Sequence, residues 1–417
     1  MQVALSIAEA DANRERYRFN ETKTKTVAIN CKTTPSLTLN DKPLGVSSKE
    51  VHVGIHRNKD NSNMDTVQER VKSARRAAYS IMGAGMHGLN GVGPEIAALQ
   101  YRTYVLPTLT YGLETLVLNS KEMATLSAFH RKNLRYLQHL PQSSAIPAIF
   151  LLLGIAPIEA TLHVTALTLL RNILAAESNS PPALYIRDII IRQAAMCDDG
   201  SSSWTSHVKK LLRQYKLPTI YSVINNPPNK NAWKATIKKA VNTYWTKSLQ
   251  DESKQKSTLE HLRLESCTIG QLHPVWQNLS SPLEIQKATI KAQLLIKRYP
   301  LTTSPTSGIR TDETCPLCKE EKETTTHFIL QCRELHSVRR PYLVRVLNRC
   351  RQLRISVDCE SLTNIILDSN HLPETDADHE ELCRNMLFKL HNVRTKILGG
   401  GSSYLRRDAV KTHRIKI

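Results

Sequence analysis

Within eighteen residues the chain places Cys315, Cys318, His327 and Cys332, in the spacing C-x2-C-x8-H-x4-C. No other stretch constrains the local fold so strongly, because a zinc ion held tetrahedrally by thiolate and imidazole draws all four positions onto one point. The two-residue gap between Cys315 and Cys318 lets one tight turn aim both sulfurs at the same ion, and Pro316 suits that turn by fixing its own φ. The second pair follows the threonine run 324–326, which predicts a capped short helix with Phe328, Ile329 and Leu330 available for a small core. At about 3.6 residues per turn, the x4 gap carries Cys332 about 140° past His327, so the helix is expected to tighten or end there. Four protein ligands leave no position for water, which makes the zinc structural rather than catalytic. His336 is the alternative to Cys332 as fourth ligand. Ordinary buried cysteines beside an unrelated histidine are the competing reading, but nine cysteines in 417 residues make such clustering improbable by chance.

Lysine and arginine number 57 against 37 acidic residues, a formal net charge of +20, which is the electrostatic footprint of a polyanion binder. RNA and/or DNA is therefore the expected partner. Hydrophobic residues make up 41% of the chain, enough to build cores in a protein whose length implies several domains. Cys31, Cys197, Cys267, Cys350, Cys359 and Cys383 are scattered without a disulfide framework, and residues 1–3 open no apolar signal region. A reducing compartment, nuclear and/or cytoplasmic, is expected. The longest apolar run, 145–158, is broken by Pro147, Gly154 and Pro157, so no membrane span is expected and the sequons at Asn20 and Asn278 are incidental.

Hydrophobic periodicity predicts a mainly α protein. An opening helix over 2–16 is followed by candidate strands at 23–30, 36–40 and 50–55, too few to make a domain by themselves. From Asp65, Val67, Val71, Ala74, Ala78 and Ile81 mark an amphipathic helix whose other faces carry Arg70, Lys72, Arg75 and Arg76. Pro94 opens the next helix, with Tyr101, Tyr104, Val105, Leu109, Tyr111 and Leu113 as its packing face. Asn119 caps a helix over 121–140, and helices over 145–153 and 158–176 complete a bundle. Further helices are expected at 183–196, 204–215, 231–249 and 282–298, then one started by Pro341 and a last one over 376–398. Beyond it lies a basic tail carrying Arg406, Arg407, Lys411, Arg414 and Lys416.

Other motifs carry little chemistry. Gly83, Gly85 and Gly88 form a GxGxxG, but they end a helix where a dinucleotide fingerprint must follow a strand. Asp198-Asp199 sits at a helix end and is not read as catalytic, and His130 is read as a satisfied core histidine. No Ser/His/Asp, Cys/His or paired-carboxylate set has usable spacing, so no catalytic residue is assigned.

Four features in order together resemble the C-terminal half of a non-LTR (LINE-type) retrotransposon reverse transcriptase. The lysine-bearing stretch 19–27, with Lys23 and Lys25, resembles a late palm strand of that family, and 51–55 (VHVGI) resembles its primer-grip hairpin. The glycine-rich loop and the Leu-x-Tyr-Gly-x-Glu-Thr pattern at 109–115 look like its thumb, and Cys315 to Cys332 with Glu323-Thr324 looks like its C-terminal zinc knuckle. The resemblance implies a palm remnant with the hairpin over 1–60, a helical thumb over 61–180, a helical connector over 181–305, and a zinc knuckle with basic helical tail over 306–417. The Tyr/Phe-x-Asp-Asp motif of the family is absent and would lie upstream of Met1. Magnesium would accordingly serve only the full-length polymerase, while this chain binds RNA or primer–template without extending it. Expected contacts are Lys23 and Lys25, then Arg70, Lys72, Arg75 and Arg76 on the thumb, and Arg333, Arg339 and Arg340 beside the knuckle. The alternative is a stand-alone, zinc-dependent nucleic-acid-binding or scaffold protein derived from a retroelement.

Overall fold

Apolar residues at helical spacing dominate the chain after Asn63, and helices form where they do. A computed structural model describes residues 1–31, 33–84, 91–175, 181–196, 198, 200–304, 312–374 and 376–399. The α-helices are α1 (Gln2–Arg14), α2 (Met64–Gly83), α3 (Pro94–Gln100), α4 (Leu106–Thr110), α5 (Ser120–Leu137), α6 (Ile146–Leu151), α7 (Ile158–Leu174) and α8 (Pro181–Met196). They continue as α9 (Trp204–Gln214), α10 (Ile220–Asn225), α11 (Lys230–Lys254), α12 (Pro282–Leu295), α13 (His336–Gln352), α14 (Cys359–Leu367) and α15 (Ala377–Ile397). The protein is mainly α, as expected, with small sheets that, among the described residues, lie in its N-terminal part.

That part is more fragmented than the sequence pattern implied. The stretch 23–30 contributes only the two-residue strand β1 (Lys25–Thr26), which pairs in parallel with β4 (Gly45–Val46). Between them, β2 (Thr38–Leu39) and β3 (Lys42–Pro43) form a minimal antiparallel pair over Leu37, Leu39 and Leu44. The segment 50–55 is not one strand. It turns at Val53 and Gly54, both with positive φ (49° and 76°), to make the hairpin of β5 (Lys49–His52) and β6 (Ile55–Asn58). Paired left-handed residues match the right-handed twist of the flanking strands, which is why a two-residue loop suffices.

Local chemistry places several helix ends. The Asn119 side chain accepts from the backbone of Glu122 while the Glu122 carboxylate accepts from the backbone of Asn119, a reciprocal cap that starts α5. Asp358, Asp376, Ser203 and Asn229 cap α14, α15, α9 and α11 in the simpler one-sided way. Between α3 and α4, residues Tyr101–Val105 widen into a π-turn just before Pro107, whose missing N–H cannot serve a regular ladder. Widening rotates the expected packing face: Tyr101, Val105, Leu109 and Leu113 are buried, but Tyr104 and Tyr111 face solvent. Pro341 does not start α13; the helix begins at His336 and carries the proline inside. His130 lies in the core as expected, accepting from the Tyr101 hydroxyl at 2.7 Å and donating to the Ala156 carbonyl at 3.1 Å. Burial holds its pKa down at about 4.

Among the described residues, three apolar cores hold these elements. The largest joins α2 to α15, bringing Val67, Leu126 and Leu151 into one cluster with Trp276, Phe328 and Leu390. A second is built from α7 to α11 around Leu167, Leu170, Trp233, Ile237 and Val241. Two helices serve both: α7 gives Leu162 to the first and Leu170 to the second, and α11 gives Leu249 to the first and Val241 to the second. The two cores therefore share α7 and α11. The glycines 85 and 88, Cys197, Asp199 and the basic tail beyond 399 lie outside the described residues.

Candidate metal centre

The first ligand pair is set by backbone geometry. Cys315 N donates to the Glu321 carbonyl at 2.7 Å and Lys319 N returns to the Cys315 carbonyl at 2.9 Å, closing a loop around Cys318. Lys319 takes the left-handed conformation (φ 58°) that this reversal needs, and Thr314 bridges to Lys322 at its base. Both sulfurs therefore face one side of the loop.

The second pair is set by a widened helical turn. The Thr324 hydroxyl accepts from His327 N at 3.0 Å, capping the turn as the threonine run predicted. Tightening was the expected remedy for the awkward x4 gap, but the helix does the opposite: His327–Gln331 is a π-turn, closed by Cys332 N donating to the His327 carbonyl at 2.8 Å. In an i→i+5 turn, residues five apart come nearly into line, so Cys332 lies beneath His327 rather than swung past it. The helix then ends, as expected, with Cys332 in an extended conformation (ψ 120°).

The result is a buried Cys3His cluster, with the four ligand atoms all within 4.8 Å of one another. Cys315 Sγ lies 3.9 Å from Cys332 Sγ, and Cys318 Sγ lies 3.5 Å from His327 Nε2. A tetrahedron with Zn–S of about 2.3 Å and Zn–N of about 2.0–2.1 Å has S···S edges of about 3.8 Å and S···N edges of about 3.6 Å. The donors fit that ion. His327 Nδ1 donates to the Glu321 carboxylate at 2.8 Å, which fixes the tautomer and leaves the Nε2 lone pair toward the sulfurs. His336, the alternative ligand, is exposed and outside the cluster.

Electrostatics agree with a site made for a cation. Burial pushes Cys315 up to about 12 and raises Cys332 as well. At Cys318 burial also acts upward, but the backbone N–H groups of Glu321 and Glu320 outweigh it and bring the thiol down to about 7. The fold by itself stabilises one thiolate, and a bound dication supplies the field that ionises the other two.

Two further residues, Glu323 and Arg339, complete the centre in structural roles that the sequence did not assign them. Glu323 is fully buried and accepts from Thr302 N at 2.8 Å and from Arg394 Nε and Nη2 at 2.7 and 2.9 Å. It docks the knuckle onto α15. Arg339 was expected to contact nucleic acid; instead it is buried, its guanidinium donating to the carbonyls of Ile329 and Cys332 at the end of the π-turn. A cation spent on carbonyls that the helix end leaves unpaired is not available to phosphate.

The remaining basic candidates fall in three places. Lys23 and Lys25 are exposed at the N-terminal sheet. On α2, Lys72, Arg75 and Arg76 face solvent, with Lys72 and Arg76 each near Glu69, at 3.9 and 3.2 Å. Arg70 is turned inward to donate to the Gly54 carbonyl at 2.5 Å. Arg333 and Arg340 are exposed beside the knuckle, and Arg333 pairs with Glu320 and with Glu334. Asp198 uses its carboxylate to accept from Gly200 N and Ser201 N, a turn-forming role.

Fold and site together define a mainly α protein with a buried Cys3His cluster able to hold a zinc ion. No protein-family model, curated protein or solved structure matches the chain.

Proposed function

We propose that the chain is the nucleic-acid-handling part of a non-LTR retrotransposon RNA-directed DNA polymerase. It binds RNA or primer–template duplex without containing the catalytic aspartates, and structural zinc fills the Cys3His cluster. The observation that carries this reading is the convergence of three sequence-distant segments on one point. Arg70 of α2 reaches the hairpin turn at the Gly54 carbonyl, and its guanidinium lies 5.0 Å over the ring of Tyr111. Gly112, next in the Leu-x-Tyr-Gly pattern, has φ 75°, and a Cβ there would come 3.3 Å from Ile55 Cδ1 of the same hairpin. His56 N donates to Thr66 Oγ1 at 2.9 Å, a second bond between hairpin and helix.

A hairpin that grips a primer end is useful only if it keeps a fixed orientation to the helix that follows the duplex backbone. Here that orientation is held by a cation–π contact, two hydrogen bonds and a glycine that admits close approach. Lys72, Arg75 and Arg76 then present charge along the outer face of the same helix. The knuckle, locked to α15 by Glu323, keeps Arg333 and Arg340 at the surface.

Binding is tested with a primer–template carrying a recessed 3′ end against a blunt duplex of equal length, titrated over a range of salt. The junction is expected to bind more tightly, and both affinities fall steeply with salt as counterions are released. Equal affinity for junction and blunt duplex would overturn the polymerase-derived reading.

A further inference from the structure

Between positions 201 and 250 the chain carries nine lysine and arginine residues and no aspartate or glutamate. This stretch folds into α9, α10 and α11, whose buried residues from Val208 to Val241 belong to the second core. Trp233, Ile237 and Val241 of α11 point into that core, and Trp233 donates its ring N–H to the Leu167 carbonyl at 3.1 Å. The rotation this imposes leaves Lys234, Lys238 and Lys239 exposed, with only Ala235, Thr236 and buried Ile237 between them.

Several cations elsewhere are balanced by acids. Lys254 pairs with Asp251, Lys287 with Glu284 and Arg76 with Glu69. Among the described residues, Lys234, Lys238 and Lys239 have no ion pair and no side-chain hydrogen bond. Lys230, Lys234 and Lys238 also recur every four residues, and like charges at that spacing repel across a helical turn. A folded face that concentrates repulsion without internal compensation is arranged for an anion outside the chain.

We propose that the outer face of α11, centred on Lys234, Lys238 and Lys239, is a second nucleic-acid interface that reads the sugar–phosphate backbone without regard to sequence. It rests on the proposed function for its ligand class and adds a surface that the α2 and hairpin contacts do not use. From Lys230 to Lys247 the helix extends about 26 Å at about 1.5 Å per residue, which matches about eight nucleotide steps of about 3.4 Å. The small side chains of Ala235 and Thr236 let a backbone come close to the helix. No large apolar side chain lies exposed between Lys234 and Lys239, and Tyr244, exposed farther along the helix, carries a hydroxyl, so the face lacks the aliphatic wedge an interfacial membrane helix inserts.

The test uses the full chain and the triple variant Lys234→Gln, Lys238→Gln, Lys239→Gln. All three residues are exposed, so the melting temperature and circular dichroism should be unchanged. Affinity is measured against a short primer–template junction, a long junction extended by about 20 nucleotides of duplex, which exceeds the helix-long footprint, and vesicles of phosphatidylserine and phosphatidylcholine. On the long ligand the triple variant is expected to reduce the slope of log K against log salt by about 2 to 3, at about 0.9 for each phosphate no longer neutralised. On the short ligand, which reaches only α2 and the hairpin, it should change little. An Arg75→Gln, Arg76→Gln variant should weaken both. Unchanged slopes for the triple variant, with the α2 variant still impaired, would overturn this interface and leave the proposed function standing. Loss of vesicle binding with nucleic-acid binding intact would overturn it in favour of a lipid surface. Absence of nucleic-acid binding by the wild-type chain would overturn both readings.

Discussion

Replacing Glu323 by alanine removes the one carboxylate that ties the knuckle to the last helix. Its oxygens accept from Arg394 at 2.7 and 2.9 Å and from Thr302 N at 2.8 Å, with the carboxylate side chain fully buried. The substitution strands a buried guanidinium, a loss of about 3–5 kcal/mol, and leaves the Thr302 amide unpaired for about 1–3 kcal/mol more. Arg394 keeps its bond to the Pro300 carbonyl and its contact with the Tyr299 ring, so the lower half of that range, about 4 kcal/mol, is the working figure. The four zinc ligands are untouched, and zinc content should stay at one per chain. Local opening should therefore be the visible change: at about 1.4 kcal/mol per tenfold, hydrogen-exchange protection in α15 and in 312–335 should fall by about a thousandfold. Replacing both partners, with Glu323→Leu and Arg394→Met, should cost less than either single change, because no charge is then left buried. Protection within tenfold of wild type in Glu323→Ala, or a double variant worse than both singles, would refute the docking role.

Three other outcomes are expected. Cys315→Ser should release the zinc and unfold 312–335, since in finger peptides about 10–16 kcal/mol of metal binding is the folding free energy; one zinc per chain in the variant, by elemental analysis, would contradict this. Gly154→Ala should destabilise by more than about 3 kcal/mol, because the residue is left-handed (φ 59°) and its new Cβ would run into the Gln271 carbonyl, and thermal melting reads it directly. The buried pair of His273 Nε2 and Asp368 Oδ1, 3.2 Å apart, should make stability depend on pH on both sides. Burial opposes charge on each, yet the partner wins, raising His273 from 6.5 to about 10 and lowering Asp368 from 3.8 to about 2. The histidine's contribution is full below pH 6.5 and lost as pH rises through about 10; the aspartate's is full above pH 3.8 and lost as pH falls through about 2. Denaturant titrations of Asp368→Asn should show lower stability and no alkaline loss over that interval.

The ligand set Cys315, Cys318, His327 and Cys332, the cap at Asn119 and most of the long helices were legible in the sequence. Each depends on residues close in sequence, within eighteen positions for the metal ligands, where spacing alone decides which side chains can meet. The helices α10 and α14 escaped because both are short, six and nine residues, although the Asp358 cap marks the start of α14. What the x4 gap did to its helix could not be read either. Tightening and widening are both local answers, and the π-turn wins because Arg339, from the next helix, pairs the carbonyls that widening leaves open.

From sequence, Arg339 and Arg340 are indistinguishable neighbours in a basic run. Tertiary packing separates them, since adjacent helical residues lie on different faces, and only the one turned toward Cys332 is drawn into the core. Glu323 and Arg394 meet across 71 positions of chain, and Arg70 reaches a hairpin sixteen residues away through a turn whose glycine gave no hint of a partner. Spacing determined the chemistry of the metal centre. Burial and long-range charge pairing, which depend on where separate helices come to rest, decided which cations serve the fold and which stay at the surface.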